Sequence, residues 1–116
     1  MNTINRQTII DLLERWKSGQ LTEIEVHEEI EFIWERGSWP QYPHEDSRSI
    51  LVEVLSQLDA LNHQLITRDD IPAIIDFLRT PKGKELDAWK IWKEYWENVD
   101  YERRKQLLKH NPYYST

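Results

Sequence analysis

Apolar residues recur every three or four positions along most of the chain, which is the spacing of one face of an α-helix. No stretch of useful length alternates apolar and polar residues, so the pattern predicts no β-sheet. The helical segments follow one another without an internal repeat, a low-complexity segment or a linker, and 116 residues suit one domain. We therefore predict an all-α fold, a single-domain bundle of five to six helices over residues 1–116.

The clearest helix start stands at the beginning of residues 21–36, which we call the acidic segment. Thr22 and Glu25 have the spacing of a capping box, in which each side chain accepts a hydrogen bond from the backbone N–H of the other residue. Gly37 is the residue type that most often ends a helix. The sequence therefore predicts one helix with both of its ends marked.

The acidic segment has an apolar face and a charged face. At 100° per residue, four apolar side chains fall within an arc of roughly 100° and should point into the core. These four are Val26, Ile30, Ile33 and Trp34. The remaining arc carries Glu25, Glu28, Glu29, Glu31 and Glu35. Phe32 projects among these glutamates, and an aromatic anchor inside a charged rim is typical of a protein-binding surface.

The other helices are predicted from their own apolar stripes and end signals. The first runs from Thr3 or Asn5 to Ser18. The third begins at Asp46 or Ser47 and carries the most regular stripe, so we expect it at the centre of the core. Its apolar residues are Ile50, Leu51, Val54, Leu55, Leu58 and Leu61.

Three further helices complete the predicted bundle. Asp69 or Asp70 caps a short fourth helix, whose inward residues are Ile71, Ile74, Ile75 and Leu78. Thr80 and Pro81 start the fifth, and Asp100 caps a sixth, basic helix. The apolar face of the fifth helix holds Trp89, Trp92, Tyr95, Trp96 and Val99. Trp89, Trp92 and Trp96 could instead line an aromatic groove, but charged neighbours on the opposite face favour an ordinary core stripe.

Residues 38–45 form a predicted loop in which Trp39 and Tyr42 stand beside prolines. Loop aromatics of this kind are harder to bury than helical ones and often serve recognition. Burial and binding fit these two residues equally well, and both interpretations stay open.

Composition excludes several classes of protein. The absence of cysteine excludes a disulfide framework and a thiolate metal site, and suits a reducing compartment. The first ten residues lack an apolar segment long enough for a signal peptide, and no stretch approaches the ~20 apolar residues of a membrane span. We expect a soluble cytoplasmic protein that does not enter a membrane.

No motif for catalysis, cofactor binding or metal binding emerges. Glu23, His27 and Glu31 are spaced four apart and could meet on one helix face to bind a metal, but the matching ligands of a helical-bundle site are absent. Ion pairs between His27 and its flanking glutamates explain the trio more simply. The glycines are isolated, so the chain has no phosphate-binding loop. We predict a protein that is not an enzyme and holds neither a metal nor a cofactor.

Charge is unevenly distributed around a net value of −6. Residues 21–46 hold eight acids and one arginine, which gives −7, whereas residues 79–116 hold nine bases and six acids, which gives +3. An acidic patch of this density repels nucleic acid and favours basic partners. A solvated helix face would carry the same charges, so that interpretation also stays open. The basic sixth helix is expected to complement the acidic segment, in this molecule or in a second copy.

Over about its first third, the chain resembles bacterial immunity proteins of the colicin-like kind. The resemblance rests on the joint between the first two predicted helices and on the start of the second. The matching residues are Ser18, Gly19, Leu21, Thr22 and Glu25, followed by Glu28, Glu29, Phe32 and Trp34. The resemblance implies a carboxylate surface that imitates a nucleic-acid backbone and occupies the basic cleft of a nuclease toxin.

Two functions are therefore carried forward. The first is a non-catalytic interaction module that binds a basic protein, in its finer form a toxin domain, with Phe32 as anchor. Its expected partner-binding residues are Glu25, Glu28, Glu29, Glu31, Phe32, Glu35, Trp39 and Tyr42. The alternative is a small helical enzyme or regulator with a cleft near the loop of Trp39 and Tyr42.

Overall fold

The computed structural model describes residues 5–36 and 46–114, and within these ranges the protein is all α-helical, as predicted. The helices are α1 (Arg6–Lys17), α2 (Glu23–Arg36), α3 (Asp46–Asp59), α4 (Ile71–Leu78), α5 (Glu85–Glu97) and α6 (Tyr101–Leu108), with a 3₁₀ turn at Arg68–Asp70 directly before α4. None of the helices in the described ranges combines the length and apolar character needed to cross a membrane. Gly37 and the loop of residues 38–45 lie outside the described residues.

The short helix α4 connects most of the bundle, since it packs against α1, α3 and α5. Five of its eight residues are buried, namely Ile71, Ile74, Ile75, Phe77 and Leu78. The helix α3 packs against α2 and α4, and its predicted stripe from Ile50 to Leu61 is at most 1% exposed. The burial expected for α3 is therefore confirmed, while the central position in the core is shared with α4.

Both α1 and α2 begin at side-chain caps. The Asn5 side chain accepts a hydrogen bond from the backbone N–H of Thr8 at 2.9 Å, so α1 starts within the predicted range. Gly19 adopts a φ of +88°, a conformation that favours glycine, and the chain turns there toward α2. Thr22 and Glu25 form the predicted capping box, with N–H to side-chain oxygen distances of 3.0 and 3.3 Å.

Replacing Thr22 with alanine is expected to lower the free energy of unfolding by about 1 kcal/mol, because the backbone N–H of Glu25 loses its side-chain acceptor. Urea denaturation monitored by circular dichroism measures this change. Thr22→Ser retains the hydroxyl and serves as the control. An alanine variant as stable as the serine variant would show that the capping box does not stabilise α2.

The helix α5 begins four residues later than the start predicted at Thr80 and Pro81. The Thr80 hydroxyl donates a hydrogen bond to the carbonyl oxygen of Phe77 at 2.6 Å, so this residue closes α4 instead of opening α5. Gly83, with φ +94°, lies in the intervening turn. On the predicted apolar face of α5 only Trp92 is fully buried, and the other four residues are half-buried.

A buried ion pair joins α6 to the start of α4. Asp70 is 0% exposed and accepts two hydrogen bonds from the Arg104 guanidinium, both at 2.7 Å. Its carboxylate also accepts hydrogen bonds from the Tyr95 hydroxyl at 2.5 Å and from the backbone N–H of Thr67 at 2.9 Å. Asp70 is therefore more than the helix cap that its position predicts. Arg104, expected on a helix that complements the acidic segment, is paired with Asp70 instead.

The pKa values of this cluster reflect burial and the ion pair. The hydrogen bond to Asp70 raises the pKa of Arg104 above its ordinary value. Burial, with a further contribution from the Asp70 carboxylate, raises the pKa of Tyr95 from 10.0 to about 12. The Tyr95 hydroxyl therefore stays protonated, and able to donate, across the neutral range.

We expect the stability contributed by the Tyr95 hydroxyl to disappear at high pH. A folded-state pKa of about 12, raised from 10.0, means that this contribution is fully present below pH 10 and is lost as the pH rises through about 12. Urea denaturation of the wild type and of Tyr95→Phe, at several pH values from neutral to alkaline, measures the difference. The difference in free energy of unfolding between the two proteins should shrink as the pH rises. A difference that stays constant would show that the Tyr95 hydroxyl does not contribute stability through its protonated form.

Candidate protein-binding surface

The outward face of α2 carries two large apolar side chains among five exposed glutamates. Phe32 is 59% exposed and Ile24 is 50% exposed. Each glutamate predicted for the surface is exposed, namely Glu25, Glu28, Glu29, Glu31 and Glu35. We call these seven residues the α2 face. The exposure expected of Phe32 is thus observed, whereas a role in binding stays a prediction.

Ile24 is missing from the surface that the sequence predicts, although the helical repeat contains the signal. At 100° per residue Ile24 lies about 160° from the buried residue Val26, and therefore on the opposite side of the helix. Ile24 and Phe32 are eight residues apart, which is about 12 Å along the helix axis. Glu28 lies one turn from each, so the two apolar side chains flank a carboxylate.

The glutamates of the α2 face differ in how far they are engaged. Glu25 accepts a hydrogen bond from the backbone N–H of Thr22, and Glu31 lies 3.6 Å from the His27 ring. Within the described residues Glu28, Glu29 and Glu35 form no ion pair. Three carboxylates are therefore uncompensated at the surface, next to the exposed apolar side chains.

The inward face of α2 is narrower than predicted. Val26 and Ile30 are 0% exposed and Ile33 packs partly against the core, as expected. Trp34 was predicted in the core and is 37% exposed, which corrects that prediction. Trp34 lies at one edge of the predicted apolar arc and in the last turn of the helix, where a side chain is least covered by neighbouring helices.

His27 links α2 to the end of α3 and to the C-terminal turn. Its Nε2 atom lies 2.7 Å from the backbone oxygen of Asp59, and its Nδ1 atom lies 2.6 Å from the Tyr113 hydroxyl. A carbonyl oxygen can only accept, so Nε2 carries the proton and Nδ1 accepts from Tyr113 in the neutral ring. Burial raises the pKa of Tyr113 to about 12, which keeps that hydroxyl a donor.

The metal-binding trio of Glu23, His27 and Glu31, considered and set aside from the sequence, does not assemble. Glu23 accepts a hydrogen bond from the Trp16 indole at 3.4 Å and lies 3.9 Å from Arg68. The ligand atoms of His27, Glu31 and Asp59 do lie within 4.8 Å of one another. The protonated Nε2 atom has no lone pair for a metal, however, because it donates to the Asp59 carbonyl. The cluster is better explained as a packing contact.

The tryptophans of α5 are less buried than a core stripe requires. Trp89 and Trp96 are half-buried and, with Trp92 and Tyr101, line an open groove of about 680 Å³ beside α3. Trp92 alone fits the core interpretation fully, at 5% exposure. The groove alternative therefore fits Trp89 and Trp96 better than the core interpretation does, while Trp92 fits both.

Within this chain, none of the ion pairs between described residues joins α6 to α2, so the pairing expected there is not observed. Pairing of α6 with α2 of a second copy stays a prediction. Trp39 and Tyr42, predicted to bind a partner, lie outside the described residues.

The α2 face offers a partner two chemical features, namely apolar area for contact and negative charge for attraction. Comparison of the chain with protein-family models, with curated proteins and with solved structures finds no match.

Proposed function

We propose that the protein is a non-catalytic interaction module whose α2 face binds a basic surface on a partner protein. The observation that supports this most directly is the exposure of Phe32 and Ile24, at 59% and 50%, beside three glutamates that form no ion pair within the described residues. Exposed apolar patches rimmed by polar residues mark protein–protein interaction sites.

The two kinds of residue have different roles in this proposal. Phe32 and Ile24 enter a pocket on the partner and supply affinity through burial of apolar surface. The glutamates attract a positively charged partner over a distance and accelerate association, an effect that salt weakens.

The finer form of the proposal is that the partner is a toxin domain and that the protein protects the cell producing it. It rests on the resemblance of the first third of the chain to colicin-like immunity proteins. A nuclease domain has a basic cleft for its nucleic acid, and a face with spaced carboxylates is complementary to such a cleft. Cytoplasmic location, which suits a chain without cysteine, belongs to the same proposal.

Phe32→Ala is expected to weaken partner binding by about 2 kcal/mol or more, as truncation of an anchor residue does. The same change should lower the free energy of unfolding by only about 1 kcal/mol, because more than half of the ring is already exposed to water. Urea denaturation measures the second quantity. A stability loss of about 3–5 kcal/mol would show that Phe32 packs as a core residue and would remove it from the surface.

The binding experiment compares tagged variants as bait in lysate of the source organism, with captured proteins quantified by mass spectrometry. The proposal is supported if a basic protein is captured by the wild type and by Leu107→Ala but not by Phe32→Ala. Leu107 is the matched control, since it is also an apolar side chain, 71% exposed, and belongs to α6 and not to the α2 face. A protein captured equally by all three baits contradicts the proposal.

Charge variants test whether the glutamates accelerate association. The experiment uses the captured partner in purified form. Replacing Glu28, Glu31 and Glu35 together with glutamine should slow association more than it speeds dissociation, and the difference should shrink at high salt. Glu94→Gln with Glu97→Gln on α5 is the control. An unchanged association rate would contradict electrostatic attraction by the α2 face. If the partner has nuclease activity, inhibition by the wild type tests the finer form.

A further inference from the structure

A second candidate site lies away from the α2 face, in a cleft between α4 and α5. The cleft has a volume of about 370 Å³, within the roughly 300–1,000 Å³ of small-molecule sites. Its lining is mostly apolar, and four charged side chains stand at its rim. The rim residues are Asp76, Arg79, Lys84 and Asp87.

The floor of the cleft is an aromatic platform of two rings, Phe77 and Trp92, which are 4% and 5% exposed. Phe77 and Trp92 are stacked with ring centroids 4.2 Å apart and planes 12° from parallel. Trp89 supports Phe77 edge-on at 5.1 Å. Tyr95 forms a wall at one end, where its hydroxyl is held by Asp70 at 2.5 Å. Ile91, which also lines the cleft, is 68% exposed, so apolar surface remains available at the mouth.

The charges follow an order along the cleft. The contact between Tyr95 and Asp70 joins the late part of α5 to the start of α4, so the two helices run in opposite directions. Arg79 and Lys84 therefore lie at the same, connecting end. Asp76 and Asp87 each lie three residues from one of these cations, about 4.5 Å along the axis, toward the apolar end. Trp92 and Tyr95 lie beyond the carboxylates in the same direction, whereas Phe77 lies between Asp76 and Arg79 along α4.

The charged groups of the cleft are only partly compensated by other side chains. Arg79 has a weak, exposed contact with Glu14 at 3.5 Å. Within the described residues Asp76, Lys84 and Asp87 form no ion pair. Both signs of charge are thus available to a ligand, in neighbouring positions beside an apolar platform.

We propose that this cleft binds a free α-amino acid with a large apolar side chain. The ligand's carboxylate lies at Lys84 and Arg79, its ammonium group at Asp76 and Asp87, and its side chain on the Phe77–Trp92 platform beside Ile91. An amino acid carries its two opposite charges on one carbon, which matches neighbouring layers of opposite charge. A ligand with only a negative charge would place that charge close to Asp76 and Asp87, and a ligand with only a positive charge would place it close to Arg79 and Lys84. Either ligand would meet one pair of rim residues that repels it.

Titration of the full-length protein with L-phenylalanine, 3-phenylpropionate and phenethylamine tests the proposal. Isothermal titration calorimetry gives the affinity, and the indole N–H signal of Trp92 in NMR spectra reports where the probe binds. L-phenylalanine should shift that signal. Loss of either charged group should weaken binding about tenfold, the size of a hydrogen bond to a charged group.

Variants at the exposed rim locate the site without threatening the fold. Lys84→Gln and Asp87→Asn should each weaken L-phenylalanine binding by up to about fivefold, as expected for an exposed ion pair. Lys90→Gln, on the opposite flank of α5, is the matched control and should bind as the wild type does. Two results overturn the proposal, namely no binding of L-phenylalanine at millimolar concentration, and equal binding of all three probes.

Discussion

Replacing Asp70 with alanine is expected to lower the free energy of unfolding by about 3–5 kcal/mol, the cost of breaking a buried ion pair from one side. The Arg104 side chain is only 17% exposed and would keep its charge without a partner. The Tyr95 hydroxyl and the backbone N–H of Thr67 would lose their acceptor at the same time. Urea denaturation at neutral pH measures the loss.

Asp69→Ala is the matched control, because Asp69 is the neighbouring residue in the same turn but is exposed. Its effect should stay within about 0.5 kcal/mol. A second comparison separates the loss of the ion pair itself from the cost of leaving the Arg104 charge buried without a partner. Asp70→Leu combined with Arg104→Met should be more stable than Asp70→Ala, since no unpaired charge remains buried. An Asp70→Ala protein as stable as Asp69→Ala would show that the pair does not hold α6 on the bundle.

The helix starts were predictable because their causes are local. Thr22 with Glu25, and Asp100 with the backbone N–H of Arg103, are contacts over three residues. Such contacts are visible in the order of the residues alone. The stripe of α3 was predictable for the same reason, since a regular spacing of apolar residues over several turns allows only one face to be buried.

The Asp70 cluster was not predictable because its partners are distant in sequence. Asp70 and Arg104 are 34 residues apart, and Tyr95 is 25 residues from Asp70. An aspartate before a short apolar helix has the appearance of an ordinary cap, and an arginine in a basic helix that of a surface charge. Only the contacts that Tyr95 and Arg104 make with the turn before α4 distinguish Asp70 and Arg104 from their neighbours Asp69 and Arg103.

The two candidate sites also differ in how far they could be predicted from the sequence. The α2 face lies on one helix, so the repeat of 3.6 residues is enough to place Phe32 and the glutamates together. The error at Trp34 arose at the edge of the buried arc, where the pattern does not say how far neighbouring helices reach. The cleft between α4 and α5 needs two helices and their relative direction. No spacing along the chain could show that Asp76 and Asp87 line the same cleft.

Replacing Leu55 with alanine is expected to lower the free energy of unfolding by about 2–5 kcal/mol, through lost apolar burial and the cavity that the smaller side chain leaves. Leu55 is 0% exposed in α3, which packs on both α2 and α4, so the neighbours that would have to close the cavity are themselves held in the core. Leu107→Ala, at a residue 71% exposed, is the control and should change stability by no more than about 0.5 kcal/mol. Urea denaturation of the three proteins gives both values. If Leu55→Ala lost no more than Leu107→Ala, the core could not lie where α2, α3 and α4 meet.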